Sequence, residues 1–130
     1  MAYEFNPTDE EIVCHYLYKK DVHEEIEDVD LMVVDLSKTE PWDLADEAKM
    51  NSTEWYFFNL RWNRTTSSGY WKAASRSRKV VNPATRVIAG RKTTSFFYIK
   101  NAPDIRTGWT MDEFNLENPQ VPPKTLIFNS

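Results

Sequence analysis

The sequence predicts an α+β fold in which two early helices cover an antiparallel sheet. Helix-capping and helix-period signals are confined to the first third of the chain, and short apolar segments separated by turn residues follow it. With 130 residues, of which 41% are hydrophobic and 14% aromatic, the chain can bury a core of its own. A single domain is therefore expected.

The first helix is predicted over about residues 8–20. Thr8 and Glu11 have the spacing of a capping box, in which each side chain bonds the backbone amide of the other residue. Helical spacing then places four apolar side chains on one face: Ile12, Val13, Tyr16 and Leu17.

A short strand and a second helix are predicted next. Residues 30–36 are apolar and β-branched, which indicates a strand. Pro41 suits the first position of a helix, predicted over residues 41–48, with Trp42 and Leu44 as core anchors. The acidic residues of this helix have no neighbouring residue in the sequence that would pair with their carboxylates. They therefore indicate a solvated helix face rather than catalytic carboxylates.

The rest of the chain predicts a series of strands. Ser67-Ser68-Gly69 and Asn82-Pro83 are among the turn signals that separate them. Residues 118–130 are predicted to be a short C-terminal tail that follows a domain of residues 1–117 and carries no activation segment. The strands are expected at residues 53–58, 70–74, 78–81, 86–89, 93–99 and 110–116.

Acidic and basic residues are segregated along the chain. Residues 1–54 contain 16 acidic and 4 basic residues, a net charge of −12. Residues 55–103 contain ten basic and no acidic residues, and residues 104–130 have a net charge of −2. A concentration of cations within an acidic protein is typical of a surface that binds a polyanion, although a solvated basic sheet face has the same composition.

Residue counts disfavour several functional classes. Three glycines are too few for a glycine-rich phosphate loop. Cys14 is the one cysteine, and beside His15 only His23 remains as a Cys or His ligand for a zinc site that needs four. No apolar segment has membrane-spanning length, no leader is expected, and no residues have a catalytic context. We therefore expect a protein that is not an enzyme and uses no metal or cofactor.

The strand from Tyr70 to Ala74 lies at the centre of the basic region. Strand alternation places Trp71 and Ala73 towards the core, and the other three side chains outwards. Small residues there would let the backbone approach a nucleic-acid groove closely, and the major groove is about 12 Å wide. The basic residues that follow suit adjacent phosphates: Arg76, Arg78 and Lys79.

Six short motifs make the sequence similar to the plant NAC domain, the DNA-binding domain of a transcription factor family. They occur in family order and cover about residues 4–116. Residues 5–13 read F-N-P-T-D-E-E-I-V, residues 41–44 P-W-D-L, residues 54–58 E-W-Y-F-F, and residues 69–73 G-Y-W-K-A. Gly90-Arg91-Lys92-Thr93 with Phe97-Tyr98, and W-T-M-D-E-F at residues 109–114, complete the set.

The resemblance implies a twisted antiparallel sheet between two helices, no enzymatic activity, action in the nucleus, and a strand edge that enters the major groove of double-stranded DNA. It places the two arginines of a family motif at Arg61 and Arg64. The residues expected at the DNA are Arg61, Arg64, Tyr70, Trp71, Lys72, Ala73, Ala74, Ser75, Arg76, Arg78 and Lys79.

The chain departs from the family pattern near this edge. Phe58 is followed almost at once by Arg61, so the basic loop that relatives carry there is absent. A Gly of the family motif is replaced at Ser75, which removes a permissive backbone position. Two family lysines fall on Asn101 and Asp104, so one contact loses its charge and the other is expected to repel phosphate.

The resemblance also implies a dimer formed through the N-terminal segment, with Tyr3, Glu4, Phe5 and Glu11 at its interface. Relatives hold it partly by an Arg–Glu pair between subunits. Here Glu4 stands in the place of the arginine and Glu11 in that of its partner, so like charges face each other. We expect a weaker homodimer or heterodimer with other NAC-domain proteins.

Other functions stay open at this point. A weakly DNA-binding relative could instead regulate family members by forming heterodimers with them. Trp62 beside Arg61 and Arg64 would suit a single-strand or RNA binder that stacks bases on aromatic rings. Residues 76–79 form a short basic run that weakly resembles a nuclear import signal.

Overall fold

Seven strands form one twisted sheet with a helix packed on each face, which confirms the predicted α+β fold class. The computed structural model describes residues 7–21, 32–47, 54–59, 64–74, 76–117 and 124–129. The strands are Met32–Val34 (β1), Glu54–Asn59 (β2), Gly69–Ala73 (β3), Arg78–Val81 (β4), Ile88–Ile99 (β5), Ile105–Leu116 (β6) and Lys124–Asn129 (β7).

The strand order is β1-β2-β7-β6-β5-β3, and β4 also pairs with β5. All pairs are antiparallel except β1 with β2, which is parallel. Strands β3 and β4 therefore lie one after the other along one edge of the sheet, and β1 lies at the opposite edge. This arrangement puts the part of the basic region that contains Lys72, Arg78 and Lys79 at an edge of the sheet.

The first helix begins with the predicted capping box. The Glu11 amide donates to Thr8 Oγ1 at 3.2 Å, and the Thr8 amide donates to Glu11 Oε1 at 3.1 Å. The helical residues are Asp9–Glu11, a π-helical stretch Ile12–Leu17, and Tyr18–Asp21, close to the predicted bounds.

The predicted apolar face of this helix is buried against one face of the sheet. Ile12, Val13, Tyr16 and Leu17 are all in a cluster with Tyr56 and Phe58 of β2 and Phe114 of β6. Strand alternation sends Phe57 to the opposite face, where it packs with a second cluster.

The second helix, Pro41–Glu47, covers that opposite face. Leu44 is fully buried with Leu36, Phe57 and Phe97. Trp42, expected as a core anchor, is 39% exposed and meets Phe97 edge-on at a ring distance of 6.1 Å. It closes the border of this cluster rather than filling its centre.

The strand predicted at residues 30–36 ends earlier than expected. Strand β1 stops at Val34, and Leu36 belongs to a 3₁₀ turn, Leu36–Lys38. The carboxylate of Asp35 accepts hydrogen bonds from the Ser37 amide at 3.0 Å and the Ser37 hydroxyl at 2.6 Å. This local side-chain bonding competes with the strand ladder and turns the chain.

Two strands predicted at residues 86–89 and 93–99 are one strand, β5. Gly90 lies buried within this strand, and a Cβ there would overlap the Asn115 carbonyl oxygen and meet Val13 Cγ1 at 2.8 Å. Glycine is needed here for close packing rather than for a turn. Strand β6 likewise begins at Ile105 rather than at residue 110, because it pairs with the end of β5.

The segment predicted as a tail after residue 117 contributes to the sheet. Strand β7 lies between β2 and β6 and pairs antiparallel with both. Its residues 125–128 read Thr-Leu-Ile-Phe, and this β-branched, aliphatic and aromatic composition suits a strand. The sheet of this domain thus extends beyond the predicted boundary.

Candidate nucleic-acid interface

The β3–β4 edge is interrupted by a bulge. Ala73 pairs with Ser95, and the Ala74 amide donates to the Thr94 carbonyl at 2.9 Å. The next registered pair is Arg78 with Lys92. Between these pairings the edge strand advances four positions while β5 advances two, so the edge strand has two more residues than β5 here.

The residues at this bulge are small or basic. Trp71 is buried against Phe97 at a ring distance of 5.2 Å, as predicted. Ala73, predicted to share its core face, is exposed, because it is the last residue of β3 before the bulge. Ala74 and Lys72 are exposed as expected. Exposed small residues, Ala73 and Ala74, therefore lie beside the longer side chain of Lys72 where β3 ends.

Cations line both faces of this edge. Directly opposed residues on paired strands point to the same face. Lys72 is opposite Phe96 and Arg78 is opposite Lys92. Phe96 and Lys92 lie an even number of positions apart on β5, so they point to the same face. Lys79 is opposite Arg91, which points to the other face. Lys72 and Arg78 thus lie on the face of the first helix, and Lys79 lies on the other face. Arg76, within the bulge, is exposed.

Acidic partners neutralise some of the neighbouring bases. Arg91 Nε lies 3.2 Å from Glu117 Oε2, and Lys92 Nζ lies 3.3 Å from Asp9 Oδ2 and 3.7 Å from Asp112 Oδ2. Within residues 7–21, 32–47, 54–59, 64–74, 76–117 and 124–129, Lys72, Arg78 and Lys79 have no acidic partner. Three exposed cations without an acidic partner among the described residues therefore lie along the β3–β4 edge.

Arg64 is held by a carboxylate of β6. Its Nε donates to Glu113 Oε2 at 2.9 Å and its Nη2 to Glu113 Oε1 at 2.6 Å. The side chains are only 19% and 10% exposed, so this is a bidentate and largely buried ion pair. The Arg64 carbonyl also accepts from the Trp71 amide at 2.9 Å. Arg64 therefore ties the start of β3 to the centre of the sheet.

The turn before β3 is fixed at several points. The Thr66 amide donates to the Gly69 carbonyl at 2.8 Å, and the Ser68 amide donates to Glu40 Oε2 at 3.2 Å. The Ser68 hydroxyl donates to the same Glu40 oxygen. Gly69 lies so close to β5 that a Cβ would overlap the Tyr98 carbonyl oxygen. Strand β3 thus packs closely against β5, and the turn before it is bonded to Glu40, which immediately precedes the second helix.

Lys72 is close to two tyrosine rings on the sheet face that carries the first helix. Its Nζ lies 5.7 Å from the centre of the Tyr98 ring, and the Tyr70 ring stacks on Tyr98 at 5.6 Å with an interplanar angle of 7°. The Tyr70 hydroxyl donates to Asp104 Oδ2 at 2.7 Å. This hydrogen bond is the main cause that raises the pKa of Tyr70 and lowers the pKa of Asp104.

Several predicted residues fall outside the described residues. These are Arg61 and Ser75 of the DNA set, and Tyr3, Glu4 and Phe5 of the dimer set. Glu11, the described member of the dimer set, is exposed and engaged in the capping box with Thr8. Trp62, proposed as a stacking residue, also lies outside the described residues.

Metal binding, the single thiol and membrane insertion can also be assessed in the described part of the chain. There, no three His, Cys, Asp or Glu side chains come together in a way that could hold a metal ion. Burial, and secondarily the charge of Glu10, raises the pKa of the Cys14 thiol. None of the described helices is both long and apolar enough to cross a membrane.

Two site residues were missed as partners by sequence reasoning. Glu113 lies 49 positions from Arg64, and Asp104 lies 34 positions from Tyr70. Asp104 was noted only for its charge, and Glu113 only as part of a motif. The strand register brings each pair of residues together, and register depends on contacts between distant segments. No local sequence pattern could therefore have predicted these two pairs.

Fold and site together define an α+β domain in which a bulged, cationic edge strand closes a seven-stranded sheet. The model of the family described as No apical meristem (NAM) protein matches residues 1–116. Because that match spans most of the chain, the protein belongs to this family, the plant NAC-domain family.

Individual relatives agree with this assignment. The chain is 39% identical over 127 residues to Protein CUP-SHAPED COTYLEDON 3 of Arabidopsis thaliana, which covers 90% of this chain and 38% of that protein. It is 41% identical over 126 residues to NAC domain-containing protein 59 of the same plant, covering 89% and 39%. For NAC domain-containing protein 4 of Oryza sativa subsp. japonica the identity is 40% over 125 residues, covering 88% and 36%. The chain thus spans well under half the length of these curated relatives.

Proposed function

We propose that this protein binds double-stranded DNA sequence-specifically and acts in transcription regulation in the nucleus, without catalysing a reaction. The observation that carries the proposal is the β3–β4 edge, where Lys72, Arg78 and Lys79 are exposed beside the small residues Ala73 and Ala74 and have no acidic partner in the described part of the chain. Membership of a family that the sequence resemblance associates with transcription factors supports the same conclusion.

In this proposal the edge enters the major groove. Two phosphate backbones border the groove. Lys72 and Arg78, on one face of the sheet, would contact one backbone, and Lys79, on the other face, would contact the second. Exposed Ala73 and Ala74 would let the backbone approach base edges closely. Lys79 and Arg91 are like charges in opposed positions, an arrangement that a bound polyanion would relieve.

The remaining predicted residues have subsidiary parts. Trp71 supports the edge from the core, and Arg61, Ser75 and Arg76 stay predicted DNA contacts. Arg64 also stays a predicted DNA contact. Its ion pair with Glu113 gives it a structural role as well, because the pair fixes the segment that leads into β3.

The proposal is tested by comparing two lysine variants. Lys72→Ala should weaken binding to a selected duplex by roughly 1–3 kcal/mol. Lys38→Ala, which removes an exposed lysine near the opposite edge of the sheet, should leave affinity within about 0.5 kcal/mol. Fluorescence anisotropy with labelled duplex, repeated over a salt series, measures both. Scrambled duplex serves as competitor, and affinity should fall steeply with salt because phosphates are neutralised.

Equal affinities of the two variants would contradict the groove assignment. A wild-type protein that binds no duplex, yet is retained by an immobilised NAC-domain relative, would favour the second candidate, a regulator that acts by heterodimerisation. That candidate is supported by the ion pairs that neutralise Arg64, Arg91 and Lys92 and so reduce the field of the basic region.

Dimer formation belongs to the proposal too. With Glu4 and Glu11 at the expected interface, the homodimer would be weak, and pairing with a relative that keeps the arginine would be favoured over self-pairing.

A further inference from the structure

Asp104 lies at the turn between β5 and β6, beside the face that carries Lys72. Its carboxylate closes this turn, because Oδ1 accepts from the Asn101 amide at 3.1 Å. The second oxygen accepts from the Tyr70 hydroxyl at 2.7 Å. One exposed carboxylate therefore joins the β5–β6 turn to the edge strand β3.

The contact continues from Tyr70 to Lys72. Tyr70 and Tyr98 are opposed residues of β3 and β5, and their rings are stacked almost parallel at 5.6 Å. The Lys72 ammonium lies over the other partner of this stack, 5.7 Å from the Tyr98 ring centre, within the range of a cation–π interaction. Asp104, Tyr70, Tyr98 and Lys72 thus form one contiguous chain of contacts.

A free lysine side chain samples many rotamers, and fixing it on a ligand costs entropy. A lysine side chain that is already held over a ring loses less conformational entropy when it binds a ligand, which is the benefit of preorganisation. The Tyr98 ring is stacked on Tyr70, whose hydroxyl in turn donates to Asp104.

We propose that Asp104 is a positioning residue for DNA recognition, which aims Lys72 at the duplex through Tyr70 and Tyr98. The inference rests on the proposed function and deepens it. It also reverses the expectation from charge alone, by which a carboxylate at position 104 only repels phosphate.

The two views predict opposite signs for the same variants. If Asp104 positions Lys72, then Tyr70→Phe and Asp104→Ala each weaken duplex binding, by roughly two- to fivefold for the loss of an exposed cation–π geometry. Asp104→Asn keeps an oxygen that can accept from the Tyr70 hydroxyl, so it should retain most of the affinity. If Asp104 only repels phosphate, Asp104→Ala and Asp104→Asn both tighten binding, and Tyr70→Phe changes nothing.

The experiment is a set of anisotropy titrations at constant salt, with thermal melts to show that every variant is folded. In a Lys72→Ala background, Asp104→Ala should have no further effect, because the coupling passes through Lys72. In the free protein, Lys72 ε-methylene protons should resonate upfield in the ring current of Tyr98, and Tyr70→Phe should move them back.

Tighter binding by Asp104→Ala, or wild-type affinity for Tyr70→Phe, would overturn the inference while leaving the proposed function intact. A full effect of Asp104→Ala in the Lys72→Ala background would also overturn it. Failure of the wild-type protein to bind any duplex is a different result, which overturns the proposed function and the inference with it.

Discussion

At the scale of single residues, the basic region divides by whether a cation has an acidic neighbour. Arg64 is held by Glu113 in a largely buried pair, and Arg91 is held by Glu117 in an exposed one, with side chains 40% and 35% exposed. Lys72 instead lies over an aromatic ring. These basic residues look alike in the sequence, but their different surroundings give them different roles in the structure.

The two Arg–Glu pairs should differ sharply in their effect on stability. Glu113→Gln leaves the Arg64 guanidinium poorly compensated in a mostly buried site, so the free energy of unfolding should fall by about 2–4 kcal/mol. Glu117→Gln is the matched control, and it should change that free energy by no more than about 0.5 kcal/mol, because its pair is solvated. Urea denaturation of both variants measures the difference. Similar losses in the two variants would show that burial does not distinguish the pairs.

The Tyr70–Asp104 bond has a defined pH range. The pKa of Asp104 is lowered in the folded protein. Its contribution to folding stability is therefore present above its ordinary pKa and is lost as the pH falls through the lowered value. The pKa of Tyr70 is raised, so its contribution is present below the ordinary phenol pKa and is lost as the pH rises through the raised value. The bond is therefore intact throughout the neutral range.

At the scale of elements, the position of β3 depends on its close approach to β5. Gly69 is opposite Ile99 in the register and packs against the backbone at Tyr98. The turn before it is held by Thr66 and by Glu40 of the segment that leads into the second helix. The edge strand is therefore set by contacts that lie away from the cations it presents.

Glycine substitutions test this dependence. Gly69→Ala should lower the free energy of unfolding by roughly 1–3 kcal/mol, since its methyl group meets backbone atoms that cannot move aside without shifting a strand. Gly108→Ala, in β6, should be neutral or slightly stabilising, because a Cβ there has no heavy atom within 4 Å. Thermal denaturation of both variants measures the contrast. A Gly69→Ala protein as stable as Gly108→Ala would mean that β3 is not confined by β5.

At the scale of the whole molecule, the acidic and basic parts of the chain meet at the start of the first helix. Asp9 and Asp112 approach Lys92 from two sides, and the Lys92 ammonium also lies 5.6 Å from the Phe114 ring centre. The acidic third of the chain therefore compensates one part of the basic region, while the β3–β4 edge stays uncompensated. A protein of net charge −4 can thus present a locally cationic surface.

The proposed weak dimer is a prediction at this scale. Glu4→Arg would place an attractive charge opposite Glu11 of a second copy and should strengthen the dimer by about 1–2 kcal/mol. Glu10→Arg makes the same change in net charge at a neighbouring exposed position and serves as control. Light scattering at micromolar concentration would report a rise in mass for Glu4→Arg alone. A wild-type protein that is already a stable dimer under these conditions would contradict the prediction.

Much of this protein follows from local sequence. The Thr8–Glu11 capping box, the apolar face of the first helix, the Pro41 helix start and the burial of Trp71 were all predictable, because capping and side-chain periodicity act within a few residues. The segregation of charge was equally readable from the chain, and it located the basic region without any knowledge of the fold.

The tertiary structure decided what depends on register and on contacts distant in sequence. Only strand pairing joins residues 88–99 into one strand, places β7 inside the sheet and gives the edge strand two more residues than β5 after Ala74. The same pairing brings Glu113 to Arg64 and Asp104 to Tyr70, and so decides which cations are neutralised or positioned. The physical reason is that a local pattern fixes which residues form a strand, whereas the packing of the whole core selects its partner and its register.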